Sequence, residues 1–224
     1  MRKRLPVLAL ACISFIFASG QSTMNDSLLR AKDSTLRVLF LADSIKVSKD
    51  FADKIKWNKI DAKSEFPLLK GGKFSGIIPV KDPTEIPDPN IDYKILFELT
   101  ANNPDSTTKE INAGLDEIAR VINLHIASGI PVKRIMPVIV VHAAALNALK
   151  NNDAYHKKYK TDNPNIKLIS DLEKIGARFI ACGQAMEFFE VKKEELLPVV
   201  KISLTAQTAI TQYQLKGYVW HPLW

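Results

Sequence analysis

The stretch Arg134–Val141, RIMPVIVV, decides the fold class, because almost every position in it is apolar. A short run of this kind is typical of a strand that is buried on both faces, as the strands of parallel sheets are. Comparable apolar runs stand on either side of it along the chain. Together they predict about five strands, and the other four are Tyr93–Leu99, Arg178–Ala181, Val199–Leu204 and Tyr218–Trp220.

Helical signals separate these strands. Ser106 or Thr107, followed by Glu110, forms a capping box that predicts the start of a helix. The alternation of strands and helices predicts a parallel sheet with helices on both faces. We therefore expect a flavodoxin-like α/β layer domain at residues 91–224, whose strand order the pattern does not specify. Its later helices are expected across Ala144–Lys160, from Pro164 to Gly176, and across Ala206–Leu215.

Residues 1–20 have the layout of a secretory signal peptide: a basic start, the apolar run Leu5–Ala18, and the small-residue cleavage site Ala18–Gly20. A lipoprotein signal ending at Cys12 is the rival interpretation, but the apolar run continues past that cysteine. The run is too short to cross a bilayer, and no later apolar stretch reaches the required length of about 18 residues. We expect a periplasmic or secreted protein with no membrane span in the mature chain.

Two further segments precede the α/β domain. Residues 21–65 begin polar and then show weak helical periodicity, which predicts one or two helices. Residues 66–90 contain five of the 12 prolines and predict an extended connector, since proline blocks helix. The glycines of this connector lack the lysine and the strand–turn–helix context of a phosphate-binding loop.

Charge and residue spacing exclude several classes of function. Loss of residues 1–20 would remove three basic residues and lower the formal net charge from +7 to +4. The remaining lysines are interleaved with acids, so no nucleic-acid partner is expected. The sequence has no H-x-x-x-H, C-x-x-C or carboxylate cluster, so neither a metal site nor a cofactor is expected.

Polar residues follow the ends of the expected strands. In parallel sheets, ligands bind beyond the carboxyl ends of the strands, an edge that we call the rim. We expect catalytic roles for two rim residues, Cys182 and His142. The rim residues expected to bind a ligand are Asn102, Gly183, Gln184 and Thr205.

Cys182 would be the one cysteine left after removal of a segment containing Cys12. A thiolate is an effective nucleophile, and a helical turn starting at Gln184 would stabilise it through free backbone N–H groups. Glu187 and Glu190 would oppose its ionisation if they were near in space. The alternative is a buried core cysteine, because a free cysteine packs as a small apolar side chain.

His142 follows the strand that contains Val140 and Val141. It is a candidate general base or proton donor for the thiol, and the alternative is a structural histidine. Cysteine–histidine catalysis requires the pair within hydrogen-bond reach. With one strand between their own, the two backbones would start roughly 9–10 Å apart.

The domain resembles the DsrE/DsrF-like family of sulfur-relay proteins, in particular an exported branch. The resemblance lies in five stretches, which are Tyr93–Thr100, Asn112–His125, Val140–Ala143, Asn163–Asn165 and Ile180–Gln184. It implies a flavodoxin-like fold and a homo-oligomer, often a trimer or hexamer. It also implies that a cysteine at the position of Cys182 accepts sulfane sulfur as a persulfide.

Two kinds of function therefore remain open. In the first, the chain is a sulfur carrier or sulfurtransferase that uses Cys182 with a donor or acceptor protein or small molecule. In the second, it is a non-catalytic module that binds a small molecule or acts through oligomer surfaces, with Cys182 in the core. The pattern leaves open whether the chain is an enzyme.

Overall fold

The computed structural model describes residues 9–221 and 223, with side chains from Leu29 onward. The chain divides into two compact units, and the boundary along the sequence falls between Lys59 and Ile60. All but the last two residues of one long helix, α1 (Ala9–Asp61), belong to the first unit. Residues 21–61 thus form part of a single helix, in line with the helical expectation for this segment.

The expected signal segment lies partly outside the described residues, and the backbone of residues 9–20 belongs to α1. Among the described residues, none of the helices combines the length and the apolar character needed to span a membrane.

The second unit contains a sheet of five strands, all of them parallel, as the apolar runs predict. The strands are β1 (Tyr93–Leu99), β2 (Ile135–Val141), β3 (Arg178–Cys182), β4 (Lys201–Ser203) and β5 (Val219–His221). Their order across the sheet is β4-β3-β2-β1-β5. The helices of this unit are α2 (Ala113–Ala127), α3 (Asn152–Tyr159), α4 (Ile166–Lys174), α5 (Gly183–Phe188) and α6 (Ala206–Leu215).

The two faces of the sheet are covered unequally. Side chains alternate along a strand, so Ile139 and Val141 of β2 face one side, and Val138 and Val140 face the other. The first side packs against α2, α4 and α5 in the larger apolar core. The second side packs against α6 in a smaller cluster, which contains Cys182. Helices therefore cover both faces, as predicted, and α6 is the cover that the described residues provide on the second face.

The strand order explains why α6 lies on its own side. From β1 to β4 the chain steps one strand at a time in the same direction. It must then return across the sheet to place β5 beside β1, and α6 makes this return over the opposite face. The helices that follow β3 and β4 therefore leave the rim toward opposite faces.

The predicted start of α2 is wrong. Asp105–Thr107 form one turn of 3-10 helix, and α2 begins six residues later, at Ala113. Asn112 is the cap, because its side chain accepts the N–H groups of Gly114 and Leu115. The helical region expected across Ala144–Lys160 is present but divided, since a 3-10 segment at Ala143–Leu149 precedes α3.

The connector predicted at residues 66–90 is bound to α2 over part of its length. Asn123 of α2 is fully buried. Its side chain accepts the N–H groups of Leu68 and Leu69 and donates to the carbonyls of Leu69 and Ser75. Asp116, one turn from the start of the same helix, accepts the N–H of Phe74 at 2.8 Å. These bonds fasten residues 68–75 to the outside of α2.

Candidate functional site

Cys182 is the last residue of β3, and α5 begins at the next residue. Its side chain faces the α6 side of the sheet, packed in the cluster that contains Ala206 and Ala209. It is only 5% exposed. The thiol thus lies at the rim, as predicted, but beneath the first turn of α6.

His142 lies beside Cys182. β2 and β3 are adjacent, and Val141 pairs with Ala181, so the next residues on the two strands are side by side. His142 keeps an extended backbone, with φ −146° and ψ −178°, which directs its side chain to the same face as Cys182. No strand lies between them, and their backbones are one strand spacing apart, about 5 Å rather than 9–10 Å.

Glu98 joins this pair from β1. Nε2 of His142 lies 2.8 Å from Oε1 of Glu98, and the two side chains are 28% and 27% exposed. The bond crosses from β2 to its other neighbour, so three adjacent strands contribute Glu98, His142 and Cys182 in that order. Sequence reasoning missed Glu98, although a carboxylate inside the apolar strand YKILFEL was a signal.

The backbone turns sharply after His142. Ala143 has φ +54°, a left-handed conformation that is uncommon for a residue with a Cβ. The turn ends β2, and the N–H of Ala145 then bonds the carbonyl of Thr100 at 3.1 Å. Strained residues of this kind persist where the surroundings hold them, and they cluster at functional sites. Here the turn fixes the position of His142 at the rim.

The ends of β3 and β4 form the point where the following helices diverge. α5 packs on the first face and α6 on the second, and open parallel sheets bind ligands at such points. In this structure the point is closed, because the N–H of Gln184 bonds the carbonyl of Leu204 at 3.1 Å. That N–H group is therefore unavailable to the thiol, contrary to the expectation for a turn starting at Gln184.

The four expected ligand-binding residues have separate surroundings. Gly183 lines a cavity of about 670 Å³ with Met186 and Ile202. Because Cys182 pairs with Ser203, the side chain of Ile202 points to the opposite face from the thiol. This cavity therefore does not open onto Cys182.

Gln184 is exposed. Thr205 caps α6 by accepting the N–H of Gln207, and Asn102 donates to the hydroxyl of Tyr159 at 3.2 Å. Within the described part of the chain, no hydrogen bond connects any of these side chains to His142. The structure thus brings together Cys182, His142 and Glu98, and gives Thr205 and Asn102 structural bonds.

The described residues contain no group of three His, Cys, Asp or Glu side chains placed to hold a metal ion. His125, on α2, bonds the carbonyl of Val121 through Nδ1 and packs edge-on against Tyr93.

The model of one protein family, described as the DsrE/DsrF-like family, matches residues 94–220. The chain belongs to the DsrE/DsrF-like family. The match begins at the second residue of β1 and ends within β5, so the DsrE/DsrF-like domain contains the whole Glu98–His142–Cys182 arrangement.

One solved structure similar to this DsrE/DsrF-like chain is described as a protein of unknown function, MTH1491, from Methanobacterium thermoautotrophicum. It is 20% identical, the alignment covers 58% of this chain and 99% of that one, and the TM-score is 0.43. A search of curated proteins found no match.

Proposed function

We propose that this DsrE/DsrF-like protein is an exported sulfur carrier that holds sulfane sulfur as a persulfide on Cys182. The observation that supports the proposal best is the placement of Cys182 and His142 side by side on adjacent strands at the rim. A nucleophilic thiol needs a base within reach, and this placement puts a histidine one strand spacing from the thiol, on the same face of the sheet.

The loading step is a transfer of one sulfur atom from a polysulfide. The thiol first gives its proton to His142, and the thiolate then attacks the terminal sulfur of the donor. A new S–S bond forms at Cys182 as the S–S bond within the donor breaks. The electron pair of the broken bond leaves with the shortened polysulfide, so no separate oxidant or reductant is required. Attack by an acceptor thiolate on the outer sulfur reverses the step.

The burial of Cys182 sets a condition on this chemistry. Because the side chain is only 5% exposed, a donor reaches the sulfur when the first turn of α6 moves away from the rim. A small donor such as a polysulfide fits a brief opening of this kind. Gly183 and Gln184, which follow the thiol directly, are the residues that a bound donor would meet next.

The compartment and the assembly are also part of the proposal. The basic start and the apolar run within residues 1–20 support export to the periplasm or beyond. Family membership supports a homo-oligomer, with a trimer or hexamer expected. N-terminal sequencing of the exported protein should begin near Gln21, and a start at Met1 would contradict export.

Sulfur loading is tested by mass spectrometry of the folded protein after incubation with polysulfide. We expect a gain of one sulfur mass on the peptide that contains Cys182. The adduct should disappear on treatment with a thiol reductant and should be missing in Cys182→Ser. If Cys182 can be alkylated in the folded protein and still acquires no sulfur, the proposal is wrong.

A second function is favoured by the same low exposure of Cys182. In it, the cysteine is a core residue and the protein is a non-catalytic module that binds a small molecule or acts through oligomer surfaces. Alkylation separates the two functions, because a core thiol reacts only after unfolding. Reaction of Cys182 under native conditions, at a rate above that of global unfolding, favours the carrier.

A further inference from the structure

The bond between Glu98 and His142 restricts which ring nitrogen carries the proton. An ionised carboxylate only accepts hydrogen bonds, so Oε1 of Glu98 accepts and Nε2 of His142 donates. In a neutral imidazole one nitrogen is a donor and the other an acceptor. The bond therefore selects the tautomer with hydrogen on Nε2 and leaves Nδ1 as the acceptor.

The strand order determines which side of His142 that acceptor occupies. β1, which provides Glu98, and β3, which provides Cys182, flank β2 on opposite sides. The two nitrogens of an imidazole ring point in nearly opposite directions. With Nε2 directed to Glu98, Nδ1 is on the side of the ring away from β1, and β3 is the strand on that side. Within the described residues, the bond to Glu98 is the one side-chain hydrogen bond of His142. Nδ1 and the thiol are therefore not hydrogen-bonded in this closed structure, and they come together when the first turn of α6 moves away.

We propose that Glu98 is a positioning residue, which holds His142 in the tautomer whose free Nδ1 takes the proton from Cys182. The role rests on the proposed function, since it serves the loading of sulfur onto that thiol. The proton moves from Sγ to Nδ1 and leaves a thiolate and an imidazolium. The carboxylate of Glu98 then faces the new positive charge through the existing bond and stabilises it.

A purely structural role for the bond makes a different prediction. Glu98 and His142 are each about a quarter exposed, so their bond adds little to the stability of the fold. If the bond were only structural, its loss would change the stability of the fold and leave the reactivity of Cys182 unchanged. As a positioning contact it sets the protonation pattern of the ring and the rate at which the neighbouring thiol reacts.

The first measurement is the tautomer itself, read from the two-bond proton–nitrogen correlation spectrum of the histidine rings in the full-length folded protein. We expect Nδ1 of His142 to show the shift of an unprotonated nitrogen and Nε2 that of a protonated one. In Glu98→Gln the side-chain amide can donate or accept, so the ring should become a mixture of both tautomers. The opposite tautomer in the native protein, or no change in Glu98→Gln, overturns the proposal.

The second measurement is the rate of alkylation of Cys182 and of its loading by polysulfide. General base assistance contributes about 100-fold or more, and Glu98→Gln should lose at least about tenfold of both rates. Glu187→Gln is the matched control, because Glu187 is exposed on α5, five residues after Cys182, and loses the same charge without contacting His142. Equal rates in the two variants overturn the role of Glu98.

The two measurements distinguish a failure of the positioning role of Glu98 from a failure of the sulfur-carrier function. If native Cys182 takes no sulfur but alkylation slows in Glu98→Gln and the tautomer is as expected, the sulfur-carrier function fails and the positioning role stands. If native Cys182 loads sulfur but Glu98→Gln loads it equally fast, the function stands and the positioning role fails. Circular dichroism confirms that each variant is folded.

Discussion

Gly183 has no room for a side chain. A Cβ placed there would lie 2.8 Å from the carbonyl oxygen of Ser203 and 3.3 Å from that of Leu204. Both neighbours are backbone atoms, so neither can rotate away as a flexible side chain would. The glycine therefore allows β3 and β4 to stay paired up to the point where α5 begins, and it keeps Cys182 in place at the end of β3.

Gly183→Ala should consequently destabilise the protein and disturb the thiol. We expect a loss of about 1–3 kcal/mol in the free energy of unfolding, the usual cost of overpacking a tight site. Urea denaturation measures it. Gln184→Ala is the control, because Gln184 is exposed and its backbone N–H bond to Leu204 survives the change. Unchanged stability in Gly183→Ala would show that the strand ends can separate freely.

The sequence was sufficient to predict that Cys182 and His142 lie at the rim, and insufficient to predict that Glu98 lies beside them. The two predicted residues follow apolar runs, and the ends of such runs are visible along the chain. Glu98 lies inside its strand, and its partner is 44 residues away on a strand whose neighbours the pattern does not specify. The distance between Cys182 and His142 could not be predicted either, because it depends on the order of the strands in the sheet.

At the scale of elements, hydrogen bonds hold residues 68–75 of the connector against α2. Asn123 is fully buried and satisfies four backbone groups of residues 68–75. No other side chain of the helix has comparable contacts with that segment, apart from the single bond between Asp116 and Phe74 among the residues described.

Asn123→Ala should therefore release the segment. Each buried polar group left without a partner costs about 1–3 kcal/mol, and water will reach part of the opened site, so we expect a loss of about 2–4 kcal/mol. Hydrogen exchange should speed up at the N–H groups of Leu68 and Leu69. Asn90→Ala, an exposed asparagine at the end of the same connector, should change neither quantity. Unaltered exchange in Asn123→Ala would mean that the segment is held by its apolar contacts.

The start of α2 shows why element boundaries were harder to predict than elements. Thr107 and Glu110 fit a capping box, but Asn112 caps the helix instead. Its backbone N–H is bound by the side chain of Asn165, 53 residues away. This long-range contact favours Asn112 over the capping box as the start of the helix, and the local sequence around neither candidate reveals it. The bounds of α6, by contrast, match the prediction, because Thr205 caps it locally.

At the scale of the whole molecule, the two faces of the sheet are covered unequally, and α6 is the helix that packs over Cys182. A reagent therefore reaches the thiol when α6 moves. Tyr213 anchors the far end of α6, where it is 5% exposed and packs edge-on against Tyr218. Burial raises the pKa of Tyr218, which keeps that hydroxyl neutral beside its partner. Tyr155, on α3, is also 5% exposed and lies outside the cluster that contains Cys182.

Tyr213→Ala should loosen α6 and increase the native alkylation rate of Cys182. Truncation of a buried aromatic side chain costs about 3 kcal/mol or more, which permits a rise of tenfold or greater in the open population. Tyr155→Ala should destabilise the protein to a similar extent and leave the alkylation rate unchanged below the unfolding transition. Equal increases in both variants would show that the thiol reacts only through global unfolding.

The number of strands and their parallel direction could be predicted, but their order could not. Apolar runs identify buried strands one at a time, and the alternation with helices implies parallel pairing. The local sequence does not indicate that β5 pairs with β1, because β5 is only three residues long and is mostly exposed. The unequal cover of the two faces follows from the return of β5 to the side of β1, and it too could not be predicted.

That return also sets the order in which the molecule can fold. The first four strands can pair as soon as they are available, whereas α6 and β5 come last in the chain and complete contacts with β1, far back in sequence. Contacts of such long separation form slowly. During folding, Cys182 is therefore uncovered until the last two elements dock. A newly made chain therefore presents its thiol to solvent in this interval, before α6 closes over it.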